Sequence, residues 1–337
     1  MESRPPMNKD YSVLLENLLG RRYDEALRES IISEAFEESE YADCLKYALE
    51  GMQEIDPSYA YKTFHITKRI QEKIEKAFSA INLSVDFRYQ GAIQTETHVV
   101  LYGGVELLVL AKPTDNKPWN TVSRMAREIL EVLSGDLSFK EVDYSNKLDI
   151  RLRTMKPTCE VKILPAIWLQ NPEYMTSKRE IDRGISEYNL AKKTRRKYLP
   201  FLNIARINSK DTRCNGGLKK MIRLLCTLQR DAHEPIGLNN YQIGSMLYAI
   251  PEKQLKFNPE YSLSLIGVVS AQLNRIITDK NYREKLVSPS EKELVFGPSP
   301  MMKEEIQKLK NELDSLVADI QETLRAEGKT LYSEIKY

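Results

Sequence analysis

Between Ser84 and Ala111 the residue order leaves few folds open. A strand-like run, Ser84–Tyr89, leads into Gly91-Ala-Ile-Gln-Thr-Glu-Thr97, where the glycine marks a sharp turn. Gly103-Gly104 then opens Val105–Ala111, apolar except for the single acid Glu106. Thr97–Tyr102 also has strand character, so the expectation is a strand, a glycine turn and two paired strands. Two further strand-like runs follow, Leu148–Thr154 and Cys159–Ala166, with a helix over Trp119–Leu133 before them. Preceding all of these, Asp56-Pro57-Ser58 has the form of a helix start, and Phe64, Ile70, Ile74 and Phe78 supply one apolar stripe down to about Ile81.

Helical patterns fill the rest. At the N-terminal end they cover Asp10–Leu19, with Gly20 as a stop, and Tyr23–Met52, with the acidic run Glu34–Glu40 as a solvated face. After Asn171-Pro172 they cover Ser177–Thr194, Gly216–Arg230, Tyr241–Ile250 and Ser262–Leu286. A last helix runs from about Met301 to Glu327, where Met302, Ile306, Leu309, Leu313, Leu316 and Ile320 recur at four and three residues. The predicted fold class is therefore α+β: a mixed sheet domain with helices, then a helical domain. The expected division is 1–54, 55–170, 171–287 and 288–337. The terminal stripe either docks on the body or meets a protein partner through Met302–Ile320.

Composition excludes several classes. With 42% hydrophobic and 29% charged residues, the 337-residue chain can bury a large core. A formal charge of +2 gives no global case for nucleic acid or membrane. Cys44, Cys159, Cys214 and Cys226 lack C-x-x-C spacing and read as free thiols in a reducing cytoplasm. His65, His98 and His233 are too dispersed for zinc, and no apolar run reaches the roughly 20 residues of a membrane span.

The segment around Gly91 resembles the nucleotidyltransferase superfamily, above all the bacterial CD-NTase and oligoadenylate-synthase-like enzymes of antiviral signalling. Such proteins carry Gly-Ser on the turn, Asp-x-Asp on the next strand, and a third Asp before an Ile-Val-Pro-Ala-like segment. Here Gly91-Ala92 stands for Gly-Ser, and Thr95 and Thr97 for the turn threonines. Gly104-Val105-Glu106 stands for Asp-x-Asp, and Lys162 occupies the third acidic position in Val161-Lys-Ile-Leu-Pro-Ala166. The resemblance spans roughly residues 55 to 285.

Such an enzyme uses three carboxylates to hold two magnesium ions against a triphosphate. At an effective dielectric near 20, an ammonium about 4 Å from a divalent ion repels it by several kcal/mol. The expectation is thus a broken two-metal site, with Glu106 and Lys162 paired across neighbouring strands and no catalytic residues, metal or cofactor. What the resemblance then implies is a catalytically impaired binding or regulatory subunit in anti-phage defence or a toxin–antitoxin-like pair. The alternative is an active, magnesium-dependent nucleotidyltransferase making a linear or cyclic nucleotide with a rearranged site; Glu96, Asp143 and Asp149 are its candidate acids, each more simply a solvated one.

Nucleotide-binding candidates are Gly91, Thr95, Lys219, Lys220 and Arg223. Lys192–Lys197 forms a second basic run, open to phosphate or nucleic acid but more simply an exposed helix end. Asn215-Gly216-Gly217 before a helix offers a conceivable anion site, though a plain loop is the simpler reading. Trp119 and Trp168 read as core anchors, and the polar end Leu331–Tyr337 as a frayed terminus.

Overall fold

The computed structural model describes residues 9–23, 42–113, 117–155, 157–296 and 300–333. The acidic run 34–40 and Tyr337 lie outside them. Two compact units are present, Asp56–Arg206 and a second that joins Met1–Ile55 to Ile207–Tyr337.

The first unit is built on strands β1 (Val85–Gln90), β2 (Val105–Ala111), β3 (Phe139–Asp143), β4 (Ile150–Thr154), β5 (Glu160–Trp168), β6 (Ile185–Asn189) and β7 (Thr194–Tyr198). They form one sheet in the order β1-β2-β5-β4-β3, with β6 pairing the far end of β5 and β7 pairing β6. Only β2 and β5 run parallel; their neighbours are antiparallel. Side chains alternate between faces. One face presents Val105, Leu107, Val109, Val161, Ile163, Ile150 and Leu152 to the helices Pro57–Ala80 and Pro118–Ser134. The first of these helices starts where Asp56 caps the Ser58 amide, and it buries Ile70, Ile74 and Phe78. The opposite face buries Leu108, Leu110, Leu164, Ala166 and Trp168.

The second unit is helical. Its terminal helix, Pro300–Ala326, sinks Ile306, Leu309, Leu313, Leu316 and Ile320 completely, against the helices Ser264–Thr278, Gly217–Asp231 and Asp43–Met52. That corrects the idea of a partner surface at Met302–Ile320: the apolar stripe already has its partner within the chain. Among the described residues no helix is long and apolar enough to cross a membrane.

The α+β class is observed, but several elements differ from expectation. Thr97–Tyr102 is not a strand, because Glu96 and Tyr102 both adopt left-handed backbone (φ 55° each) and bend the segment out of a ladder. Ser177–Thr194 is not a helix but a short turn leading into β6, held by β5. The helix Pro200–Arg213 was missed, and Gly20 lies inside Tyr11–Arg22 rather than ending it. Ser262–Leu286 breaks at Asp279, whose side chain caps the next turn through the Tyr282 amide. The N-terminal helices pack with the C-terminal ones, and residues 171–206 belong to the sheet unit; both cross the expected boundaries.

Candidate active site

The expected glycine turn is formed, and it needs its glycine. Gly91 has φ +97°, and a Cβ there would lie 2.5 Å from the Gly104 carbonyl oxygen. A 3-10 turn, Ala92–Thr95, follows and is stitched to the start of β2 by the Ile93 amide, which donates to that same carbonyl at 3.1 Å. Thr95 and Thr97 are buried, and their hydroxyls bond each other at 2.9 Å, with Thr95 also donating to the Ala92 carbonyl. Thr95, expected to bind nucleotide, thus spends its hydroxyl within the turn.

Beyond the turn, one polar row crosses the sheet. Pairing sets Gln90 opposite Glu106, Glu106 opposite Lys162, Lys162 opposite Arg151 and Arg151 opposite Asp143. Directly opposed residues share a face, here the face that buries Leu108 and Leu164 farther along. The expected pair is made: Lys162 Nζ donates to Glu106 Oε1 at 3.2 Å. Glu106 Oε2 accepts from Gln90 Nε2 at 2.8 Å, and the same Nε2 donates to the Tyr198 hydroxyl at 3.0 Å. Tyr198 in turn donates to Glu187 Oε1 at 2.5 Å. Burial pushes the Glu187 carboxyl above its usual range, opposed by the Tyr198 bond and by Arg196. Burial together with the Glu187 charge holds the Tyr198 phenol protonated. Four strands thus deliver one continuous chain of hydrogen bonds to Glu106.

Sequence reasoning missed Glu187, because residues 177–194 read as a helix, and it placed Tyr198 only at the end of the basic run, without a role in the site. The apolar pair Ile185 and Tyr188 and the Leu199-Pro200 boundary were the available signals. Of the other acids, Glu96 is exposed in its turn, Asp143 accepts from the Ser145 amide, and Asp149 accepts from Asn146 and Arg151.

The basic candidates lie in the helical unit or on the sheet's edge. Lys219 and Arg223 are buried, with Arg223 donating to the Met52 carbonyl at 2.7 Å. Lys220 lines a small cavity with Leu49, Met52, Gln53, Phe257, Pro259 and Ser262, its ammonium 4.7 Å from the centre of the Phe257 ring. Burial, and then Arg223, lower its pKa. Lys192–Lys197 is no helix end; it forms the turn and exposed strand of the β6–β7 hairpin. At the Asn215-Gly216-Gly217 turn the helix N-terminus already carries a carboxylate of this chain, Asp211, which accepts from the Lys219 amide at 2.8 Å. Trp168 is a core anchor, its indole donating to Asp86 at 2.7 Å, and Trp119 stacks edge-on against Tyr188.

Residues 205–321 match the family described as the cGAS/DncV-like nucleotidyltransferase C-terminal helical domain. The whole fold is similar to the STING-associated CdnE c-di-GMP synthase of Capnocytophaga granulosa, with TM-score 0.75, 26% identity, and coverage of 93% of this chain and 99% of that one. The matched helical domain is thus that of the cGAS/DncV-like nucleotidyltransferases, and the chain as a whole is similar to synthases of that superfamily. The chain is also 26% identical to the cyclic dinucleotide synthase CdnE of Yersinia aleksiciae over 96% of this chain and 91% of that protein. A c-di-GMP synthase of Flavobacteriaceae sp. is likewise 26% identical over 93% and 98%.

These end-to-end likenesses overturn the reading of a catalytically impaired binding subunit, since the relatives are named as synthases. They also overturn the expectation of a protein without a cofactor, since nucleotidyltransferases of this class are metal-dependent. The impaired reading rested on the charge balance at the motif positions; what overturns it is the naming of the relatives as synthases, while the fold places Arg151, Glu187 and Tyr198 on the same face as those positions.

The superfamily implies divalent metal ions, and the residues present do not fit a pair of them. Gly104, at the first acidic position, has φ +77°, and a Cβ there would meet His98 Cβ at 2.8 Å, so an aspartate is excluded without rearrangement. Lys162 places an ammonium on the one motif carboxylate. Among the described residues no group of three His, Cys, Asp or Glu is placed to share an ion.

Proposed function

We propose that this protein is an active nucleotidyltransferase that joins two nucleoside triphosphates into a cyclic dinucleotide. The observation that carries the reading is similarity along almost the full length of both chains to proteins named cyclic dinucleotide synthases. The glycine turn stitched to β2, with Glu106 two residues past Gly104, supports it. Each transfer forms one bond between a sugar hydroxyl and an α-phosphorus, breaks the bond to the β-phosphate and releases pyrophosphate; the hydroxyl proton passes to a base or to solvent. Two such transfers close the ring.

Glu106 is the acid on which we expect the reaction to depend, with the backbone of Gly91 as a further nucleotide contact; Lys220, in the helical unit, is a separate candidate. Lys219 and Arg223 support the helix that carries Lys220. The four free cysteines, Cys44, Cys159, Cys214 and Cys226, support a cytoplasmic place for this chemistry. The Capnocytophaga granulosa relative is titled STING-associated. That supports a role in antiviral signalling, with a protein that receives the nucleotide as partner.

The test is incubation with all ribonucleoside and deoxyribonucleoside triphosphates plus magnesium or manganese, with mass-spectrometric product analysis. A two-nucleotide product accompanied by pyrophosphate, and lost in Glu106→Ala, is the expected result. Triphosphates that stay intact in every combination would refute the proposal.

A further inference from the structure

Two cations stand side by side in the polar row, and the reaction outlined above leaves them without a role. We infer that Lys162, with Arg151 beside it, contacts the phosphate groups of the nucleotide directly, and that Glu106 is the internal counter-ion which the phosphate displaces. This deepens the nucleotide-transfer reading and rests on it only for the source of the phosphate.

Like charges directly opposed on adjacent strands repel, so a position pair such as Lys162 and Arg151 is retained most easily where an anion is shared. In this structure each cation borrows a carboxylate, Glu106 for Lys162 and Asp149 for Arg151. Both carboxylates have a second anchor. Glu106 keeps Gln90, itself fixed by Tyr198 and Glu187, and Asp149 keeps Asn146. Lys162 can therefore turn to another anion without stranding Glu106. Its side chain is 49% exposed and that of Glu106 28%. A pair so open to water contributes little, whereas a polyphosphate offers the ammonium several charge-assisted bonds. Gly104 puts no competing carboxylate beside them.

The sign of one substitution separates this arrangement from a metal site. Where an acid holds a metal that in turn holds the triphosphate, neutralising the acid weakens binding. Where the acid competes with phosphate for a lysine, neutralising it strengthens binding. Calorimetric titration with inorganic tripolyphosphate, at equal free magnesium and again in EDTA, reads that sign. Glu106→Gln should bind about two- to fivefold more tightly, the equivalent of at most about 1 kcal/mol. Lys162→Met should bind about tenfold more weakly, and Arg151→Met more weakly by a smaller factor. The double variant Glu106→Gln/Lys162→Met should be as weak as Lys162→Met alone. Thermal unfolding of each variant verifies that it is folded. Weaker binding by Glu106→Gln in magnesium, or unaltered binding by Lys162→Met, would overturn the inference. Absence of product in the synthesis assay, with the tripolyphosphate signs as stated, would end the synthase reading alone. Product formation with the signs reversed would end this inference alone.

Discussion

The two faces of the sheet are made by the same strands one residue out of step, yet they obey different physics. On the helix-covered face, Leu107 and Ile163 are fully buried between packed helices and strands, and burial pushes the Cys159 thiol in the same cluster up to about 12. On the other face the apolar residues stop short of one end, and the next row is Gln90, Glu106, Lys162 and Arg151. Burial makes the first face the source of stability. Partial exposure makes the second a place where partners can be exchanged at small cost.

Substitutions at neighbouring positions of β5 can break that contrast. Ile163→Ala leaves a cavity under the helices and should cost about 2–5 kcal/mol by denaturant unfolding; a loss below about 1 kcal/mol would mean that the face repacks freely. Gly104→Asp, which restores the acid expected at that position, forces a side chain onto left-handed backbone and into His98. It should cost about 1–3 kcal/mol, and calorimetry should find no gain in magnesium affinity.

A third comparison concerns pH. Glu187 has its carboxyl raised above the ordinary value of 4.5, chiefly by burial. The folded state therefore holds this proton more tightly than the unfolded chain. The associated stability is fully present below the unfolded value and is lost as pH rises through the folded one. Glu187→Gln removes that loss, so its stability relative to the natural protein should improve as pH rises above about 4.5; parallel pH–stability curves would contradict it. The smallest effect is expected for Lys162→Met, within about 1 kcal/mol of the natural protein, although it sits beside Ile163.

Much of the helix-covered face was legible, because apolar runs and caps are local signals. Val105–Ala111, the helix that starts at Asp56-Pro57 and the stripe of the terminal helix all carry their own periodicity. The pair between Glu106 and Lys162 was legible as well, from two motif positions on strands expected to be neighbours. What escaped was the part of the polar face assembled by long-range pairing. Thr194–Tyr198 is so basic that it reads as an exposed helix end, yet an edge strand tolerates the same cations. Missing that strand hid Tyr198, and the contact of Gln90 with it spans 108 residues. Thr97–Tyr102 failed in the opposite direction: its β-branched residues suggested a strand, but the turn hydrogen bonds of Thr95 and Thr97 claim its start.

The most direct test of the polar face as the working end is a crystal structure of the protein with a non-hydrolysable nucleoside triphosphate analogue and magnesium. The account predicts phosphate oxygens within hydrogen-bond distance of Lys162 Nζ, and Glu106 turned away from that ammonium while still held by Gln90. A triphosphate seated elsewhere, with the pair between Glu106 and Lys162 unbroken, would contradict it.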